Sequence, residues 1–88
     1  MTDAAKTLLT QLDADNPDMR EITIGGYPVT IVKSFHAQVR RFTASAKPFG
    51  RVIFATGSKP SEAVMKLRRL LIGARRVETA RAVQEAIN

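Results

Sequence analysis

The chain has 88 residues, of which 44% are hydrophobic and 25% are charged, which is typical of one globular domain and excludes a disordered chain. It has no cysteine, which excludes disulfides, thiolate nucleophiles and zinc sites built on thiolates. Fourteen Lys and Arg oppose eight Asp and Glu, and the resulting net charge of +6 favours an anionic partner.

The N-terminal segment predicts one amphipathic helix. Ala5, Leu8, Leu9 and Leu12 recur at the i, i+3, i+4, i+7 spacing that places apolar side chains on one helical face. An Asp-rich turn around Pro17 ends the helix, because proline cannot continue its hydrogen-bonding pattern. Residues 1–20 are therefore expected to form an acidic helix and turn.

The middle of the chain predicts antiparallel strands. From Glu21 the apolar residues recur with a period of two, and the Gly25-Gly26 pair is typical of a hairpin turn before a second strand. Further strands are expected over residues 37–43 and 51–56. The second of these is the most regular.

One strand carries an irregular pattern. Val39 and Phe42 are three residues apart, so they cannot share a face of a regular strand. If both belong to the core, a β-bulge near Arg40 and Arg41 would reconcile them. We therefore predict a bulge at this point.

A long helix is predicted after the last strand. Ser58 is placed to cap it, Pro60 suits its first turn, and the apolar period continues from about Lys59 to at least Ile72. The residues expected to face the sheet are Ala63, Val64, Leu67, Leu70, Leu71 and Ala74.

Gly73 raises the question of where this helix ends. A glycine costs about 1 kcal/mol in a helix interior, and we favour a break or kink there, with a separate C-terminal helix over residues 74–88. The alternative is one long helix that offers its second half to a partner. The second apolar stripe consists of Val77, Ala80, Val83 and Ile87.

These elements predict the fold class. An N-terminal helix, an antiparallel meander of three or four strands, and one or two C-terminal helices on one face make a two-layer α+β sandwich. Residues 1–88 form a single small basic domain, in which residues 21–76 are the basic sheet and helix.

The charge is concentrated in part of the chain. Residues 1–21 carry a net −3, whereas residues 33–76 hold eleven Lys and Arg against Glu62 alone, a net +10. Nine of the fourteen basic residues are arginine, whose planar fork holds phosphate or carboxylate in a bidentate manner. Such a segment repels itself, so a partner that neutralises it would stabilise the fold.

We therefore predict a non-enzymatic domain that contacts nucleic acid or a nucleoprotein complex through arginines of its sheet and main helix. The expected contacts are to phosphates, with no evident reading of bases. The alternative partner is an acidic protein surface. The candidate binding residues are Arg40, Arg41, Arg51, Lys59, Lys66, Arg68, Arg69, Arg75 and Arg76.

The main helix also predicts an apolar contact point. Met65 and Ile72 are seven residues apart, point away from the predicted sheet, and are framed by arginines. This arrangement suits a protein-binding inhibitor or adaptor that docks an acidic protein surface. Alternatively, the C-terminal helix folds over this pair, or it mediates a homodimer. The short, arginine-rich and cysteine-free chain is similar in style to proteins of phages and mobile elements, among them anti-CRISPR proteins and antitoxins.

The sequence gives no support for catalysis. His36 is the only histidine, no acid–base partner stands at a recognisable spacing, and the acidic turn does not match a calcium-binding loop. We expect no cofactor and no metal. Stacking platforms for single-stranded nucleic acid need exposed aromatics, and of the five aromatic residues we expect only Phe49 to be exposed.

The predicted α-β-β-β-α order with a Gly57-Ser58-Lys59 junction resembles a double-stranded-RNA-binding domain over residues 21–71. The resemblance implies that the start of the last helix lies over phosphates. Where that family has two consecutive lysines, this chain has Lys59-Pro60. The histidine-bearing loop of the family has no counterpart here. The strand-to-helix junction is also similar to the DNA-binding domains of integrases. We assign the chain to neither family.

The sequence also bounds the cellular setting. No apolar run is long enough to cross a bilayer, and the N-terminus lacks the basic start and apolar core of a secretory signal. We expect a cytoplasmic protein with no membrane partner.

Overall fold

A computed structural model describes the backbone of residues 3–87 and the side chains of residues 3–74. Two α-helices and four β-strands follow in the order α-β-β-β-β-α, with a short 3-10 helix at Pro48–Gly50. The elements are α1 (Asp3–Asp15), β1 (Met19–Ile24), β2 (Tyr27–His36), β3 (Val39–Ala46), β4 (Ile53–Gly57) and α2 (Pro60–Ile87).

The four strands form one antiparallel sheet in the order β1-β2-β3-β4, in which every strand pairs with its neighbour in sequence. Gly25 and Gly26 have φ values of 56° and 86°, which suits the tight β1–β2 hairpin. The predicted α+β architecture with an N-terminal helix, a meander and a C-terminal helix is confirmed.

The core lies between the sheet and the two helices. Alternate residues of β2 and β3 point towards the helices, as the period of two requires, and Leu12 of α1 joins them. The fully buried large side chains are Phe42, Leu12, Ile31, Leu67 and Val29. Burial of these side chains is the main stabilising contribution to the fold.

The opposite face of the sheet is not covered by either helix. Met19, Val32 and Phe54 are exposed on it, and register places all three on the side away from Ile31 and Ala44. A half-buried antiparallel sheet with one face in solvent is an ordinary arrangement. Among the described residues no helix is both long and apolar enough to span a membrane.

The predicted bulge in the third strand is wrong. β2 and β3 pair without interruption from Thr30↔Ser45 to His36↔Val39. Val39 therefore points to the face opposite Phe42 and is exposed. The expectation failed because it placed both apolar residues in the core, whereas only Phe42 is buried.

The predicted break at Gly73 is also wrong. Helix α2 runs without interruption from Pro60 to Ile87, so Gly73 lies inside it. At 1.5 Å per residue, Ile87 lies about 22 Å along the axis from Ile72. The second half of α2 therefore cannot fold back over Met65 and Ile72.

The core-facing side of α2 follows the prediction at four of its six positions. Ala63, Val64, Leu67 and Leu71 are buried, and Ala74 is partly exposed. Leu70 was expected in the core but is exposed. Leu70 lies at the margin of the apolar face of α2, and its neighbour Leu71 is the residue that packs in the core.

Candidate nucleic-acid interface

The hairpin formed by β2 and β3 extends past both neighbouring strands. The pairing of β1 ends at Met19↔Val32, and that of β4 ends at Gly57↔Phe42. Beyond these positions residues 34–41 pair only with each other, and all eight are exposed. We call residues 34–41 the ribbon.

The turn of the ribbon has an unusual backbone. Ala37 and Gln38 both have positive φ, 51° and 65°, in a two-residue hairpin loop. Positive φ at both positions is the pattern of a type I′ turn, in which Asn and Gly are preferred because other residues are strained there. The ribbon therefore retains a strained turn at its tip.

The two faces of the ribbon carry different side chains. Phe35 and Arg40 are directly opposite in the register, so they project from the same face, which is the face that carries the helices. Arg41 follows Arg40 and projects from the other face. The ribbon thus presents arginine on both faces and one aromatic ring beside Arg40.

An open cleft of about 560 Å³ lies at the base of the ribbon, between the end of α1 and the start of α2. Arg40 and Lys59 line it together, although they come from different elements. The guanidinium carbon of Arg40 lies 6.0 Å from the centre of the Phe42 ring, a distance suited to a cation–π contact. We call this space the basic cleft. It is lined by Asp13, Ala14, Asn16, Arg40, Phe42, Ser58, Lys59 and Pro60.

The carboxylate of Asp13 is hydrogen-bonded to the start of α2. Oδ1 of Asp13 accepts a hydrogen bond from the backbone N–H of Ser61 at 2.9 Å, and Oδ2 accepts one from the Ser61 hydroxyl at 2.6 Å. A carboxylate at this end of a helix is favoured by the helix dipole. The resemblance to the RNA-binding family implied that phosphates bind at the start of this helix. In this chain one of the free backbone N–H groups there, that of Ser61, already donates to Asp13.

Glu62 supports the same junction. Ser58 donates a hydrogen bond to it at 2.9 Å, and the Lys66 ammonium lies 3.1 Å from its other oxygen. The hydrogen bond from Lys66, followed by that from Ser58, lowers the pKa of the Glu62 carboxyl below its ordinary value.

Local ion pairs use most of the nearby acids. Arg20 contacts Asp15 at 2.7 Å, and Lys33 contacts Asp18 at 3.2 Å. The Lys33 ammonium also donates to the carbonyl of Asn16 at 2.7 Å and lies 5.8 Å from the Phe42 ring centre. These basic groups are therefore already neutralised within the chain.

Three cations near the ribbon are not neutralised in this way. Arg40, Arg41 and Lys59 are exposed, and none has an ion-pair partner within the part of the chain that the structure describes. Arg40 and Lys59 come together in the basic cleft because the ribbon and the start of α2 lie at the same end of the sheet, whereas Arg41 lies on the opposite face of the ribbon. This is where the structure gathers predicted binding residues from separate elements.

The other candidate cations are spread over the surface. Arg51 lies in the loop before β4, at the opposite end of the sheet from the ribbon. Lys66 and Arg69 are exposed on α2, and Arg68 lines a groove beside β1. Arg75 and Arg76 lie in the backbone of α2, but their side chains are outside the described residues.

The apolar pair on α2 lies along that groove. Met65 is half-buried beside Leu8 and Leu9 of α1, while Ile72 is 39% exposed near the β1–β2 hairpin. Two adjoining cavities of about 240 and 200 Å³ share Ile24, Gly25 and Arg68 in their walls. Helix α1 therefore covers part of Met65, and Ile72 is the more accessible of the two.

The expectation that only Phe49 would be exposed is wrong. Phe35 and Phe54 are 69% and 62% exposed, more than Phe49 at 52%, and only Phe42 among the phenylalanines is buried. Phe35 could not be found from sequence spacing, because its exposure depends on β1 and β4 ending before they reach it. To predict this exposure, one would have to know that β2 extends beyond the ends of β1 and β4.

The described residues contain no group of three His, Asp or Glu side chains arranged to hold a metal ion. The strand count also separates this chain from the α-β-β-β-α order that suggested an RNA-binding family, since β1 to β4 form four strands. No protein-family model matches the chain, and neither a curated protein nor a solved structure matches it.

Proposed function

We propose that this protein is a non-enzymatic binding domain that contacts the phosphates of nucleic acid, free or in a nucleoprotein complex, through Arg40, Arg41 and Lys59. The observation that supports this proposal most is the location of these three cations at the ribbon and its base, with Arg40 and Lys59 together in the basic cleft and Arg41 on the opposite face. Asp15, Asp18 and Glu62 form ion pairs with other cations, and both carboxylate oxygens of Asp13 bond to Ser61, so among the described residues no acid forms an ion pair with these three cations.

The chemistry of the two arginines suits phosphate. A guanidinium donates through a planar fork that matches phosphate oxygens, and it stays charged at every physiological pH. Arg40 and Arg41 project from opposite faces of the ribbon, which allows contact with two parts of a strand or duplex. Lys59 adds a point charge beside Arg40 in the basic cleft.

Salt dependence provides the test. Three phosphate contacts predict a log–log slope of about −2.7 for duplex and about −2 for single strands between about 50 and 200 mM salt. Replacement of Arg40, Arg41 or Lys59 by Ala removes one phosphate contact. Each variant should therefore bind more weakly and show a slope smaller in magnitude by about 0.9 for duplex. Fluorescence anisotropy with labelled oligonucleotides measures both quantities.

Arg51→Ala is the matched control. It removes the same charge from the opposite end of the sheet, so it should change affinity much less than Arg40→Ala. Equal effects of the two variants would show a diffuse charge effect rather than an interface at the ribbon. Absence of any wild-type binding at low salt would refute the proposal.

A second candidate function is the docking of an acidic protein surface as an inhibitor or adaptor. The groove between α1, the β1–β2 hairpin and α2 supports it, because Arg68 lies there beside exposed Ile72. An apolar anchor next to an arginine that has no ion-pair partner among the described side chains suits a partner segment that combines an apolar side chain with a carboxylate.

Ile72→Asp tests this candidate against Leu70→Asp, which places the same charge at an exposed position on another side of α2. Loss of a captured protein partner by the first variant alone, with both variants folded, would support docking at the groove. If Ile72→Asp unfolds the chain, Ile72 belongs to the core and the docking surface is not there.

A further inference from the structure

We propose that the ribbon binds single-stranded nucleic acid, with one base stacked on Phe35 and neighbouring phosphates held by Arg40 and Lys59. This inference rests on the proposed function and names the class of nucleic acid. It adds an aromatic contact to an interface that otherwise consists of cations.

The first step is the exposure of Phe35. Its side chain is 69% exposed, the largest value among the described large hydrophobic residues, and no described aromatic ring contacts it. The ends of β1 and β4 leave both flanks of the ribbon free at this position. An accessible aromatic face is what base stacking requires.

The second step is the placement of Phe35 relative to Arg40. The two residues are cross-strand partners in the register, so their Cβ atoms lie roughly 5 Å apart on the same face. The cation–π contact with Phe42 directs the Arg40 guanidinium towards the base of the ribbon. A base on Phe35 would therefore have a phosphate-binding group beside it.

The third step is the basic cleft below this pair. Lys59 lines it with Arg40, and both carboxylate oxygens of Asp13 are occupied by Ser61. Asp13 also lines the cleft, but its carboxylate oxygens bond to Ser61 and form no ion pair with Arg40 or Lys59. A strand that leaves Phe35 towards the cleft meets a second cation at Lys59.

The aromatic contact favours single strands over duplex. In a duplex the faces of the bases are stacked on each other, and insertion of a side chain costs a few kcal/mol per step. A single strand offers free base faces, and stacking on an aromatic residue contributes about 1–3 kcal/mol per base. Phosphate contacts alone would give no such preference.

The absence of tryptophan from the chain allows a direct probe of stacking. Phe35→Trp places a single indole on the ribbon, and Phe49→Trp places one at the opposite end of the sheet as the control. Short oligothymidine should quench the fluorescence of the first variant at saturation and leave that of the second nearly unchanged. Equal response of the two variants would overturn stacking at Phe35.

Affinity gives the second measurement. Phe35→Ala should weaken binding of oligothymidine by about 5- to 150-fold, the range that loss of one stacked base predicts, and should change duplex binding by much less. Phe49→Ala, at a similarly exposed ring, should change neither. Circular dichroism checks that each variant is folded, and Phe35→Leu keeps the bulk if Phe35→Ala is unstable.

The outcomes separate this inference from the proposed function. If wild type binds duplex as tightly as single strand and Phe35→Ala has no effect, the inference fails while Arg40 and Lys59 can still carry the phosphate contacts. If wild type binds neither probe at low salt, the proposed function fails as well.

Discussion

Asp13 accepts both hydrogen bonds that Ser61 can donate, one from its backbone N–H and one from its hydroxyl, across 48 residues of sequence. This bidentate contact joins the last turn of α1 to the first turn of α2. It fixes the two helices relative to each other at the edge of the basic cleft.

Asp13→Ala should lower the free energy of unfolding by about 1–2 kcal/mol, as expected for loss of a side chain that caps a helix N-terminus. Ser61→Ala removes only the hydroxyl bond and should cost less. Urea denaturation of both variants and of the double variant measures their coupling. Glu21→Ala, an exposed strand residue, is the control, and an equal loss there would contradict the capping role of Asp13.

Gly57 is expected to tolerate no larger residue. A Cβ built there would lie 2.8 Å from the backbone nitrogen of Ala63 and 2.8 Å from Cβ of Glu62. Because β4 leads directly into α2, the backbone atom cannot move away without displacing the helix. Gly57→Ala should therefore destabilise the protein by about 1–3 kcal/mol in a denaturant titration. Unchanged stability would show that α2 packs less closely on β4.

Gly73→Ala should have the opposite effect. Apart from the surrounding backbone of α2, no described atom lies within 4 Å of a Cβ built at this position, and α2 is helical on both sides of it. The substitution should stabilise the protein by up to about 1 kcal/mol through helix propensity. A rise in thermal midpoint together with unchanged helical circular dichroism is the expected result. Destabilisation would mean that the chain needs glycine there, as a break would require.

The sequence predicted the elements of the fold better than their ends. Alternating apolar residues and the Gly25-Gly26 pair were sufficient for the meander, because sheet period and turn chemistry are local properties. The continuity of α2 through Gly73 was not predictable in the same way. A single glycine costs little compared with the hydrogen bonds that continue across it.

The candidate site was predictable in composition but not in arrangement. Arg40, Arg41 and Lys59 were identified by charge, yet their separation from Arg51 depends on which strand ends meet. The exposure of Phe35 likewise follows from the unequal lengths of β1, β2 and β4. Strand length depends on tertiary packing, which spacing along one chain does not show.

The ribbon turn should be open to stabilisation. Ala37 and Gln38 occupy left-handed positions that cost on the order of 1 kcal/mol each for residues other than glycine and asparagine. Ala37→Asn with Gln38→Gly should raise the free energy of unfolding by about 1 kcal/mol or more. Thermal unfolding measures this gain. The register of Phe35 and Arg40 is retained, so oligonucleotide affinity should stay the same, and a large loss would show that the strained turn itself contributes to binding.

The ion pairs near the ends of the helices should make stability fall at acidic pH. The hydrogen bond from Arg20, then that from Gln11, lowers the pKa of Asp15 below its ordinary value, and Lys66 has the same effect on Glu62. A folded-state pKa below the unfolded value means that the charged carboxylate favours folding. This contribution is present above the unfolded pKa and is lost as the pH falls through the lowered folded value.

Asp15→Asn with Glu62→Gln should therefore flatten the dependence of stability on pH below about 5, while wild type loses stability towards pH 2. Denaturant midpoints measured across this range at low salt give the comparison, because salt screens exposed pairs. Glu21→Gln controls for the general loss of a negative charge from a chain of net charge +6. Identical pH profiles of the double variant and wild type would show that these two carboxylates do not contribute to acid sensitivity.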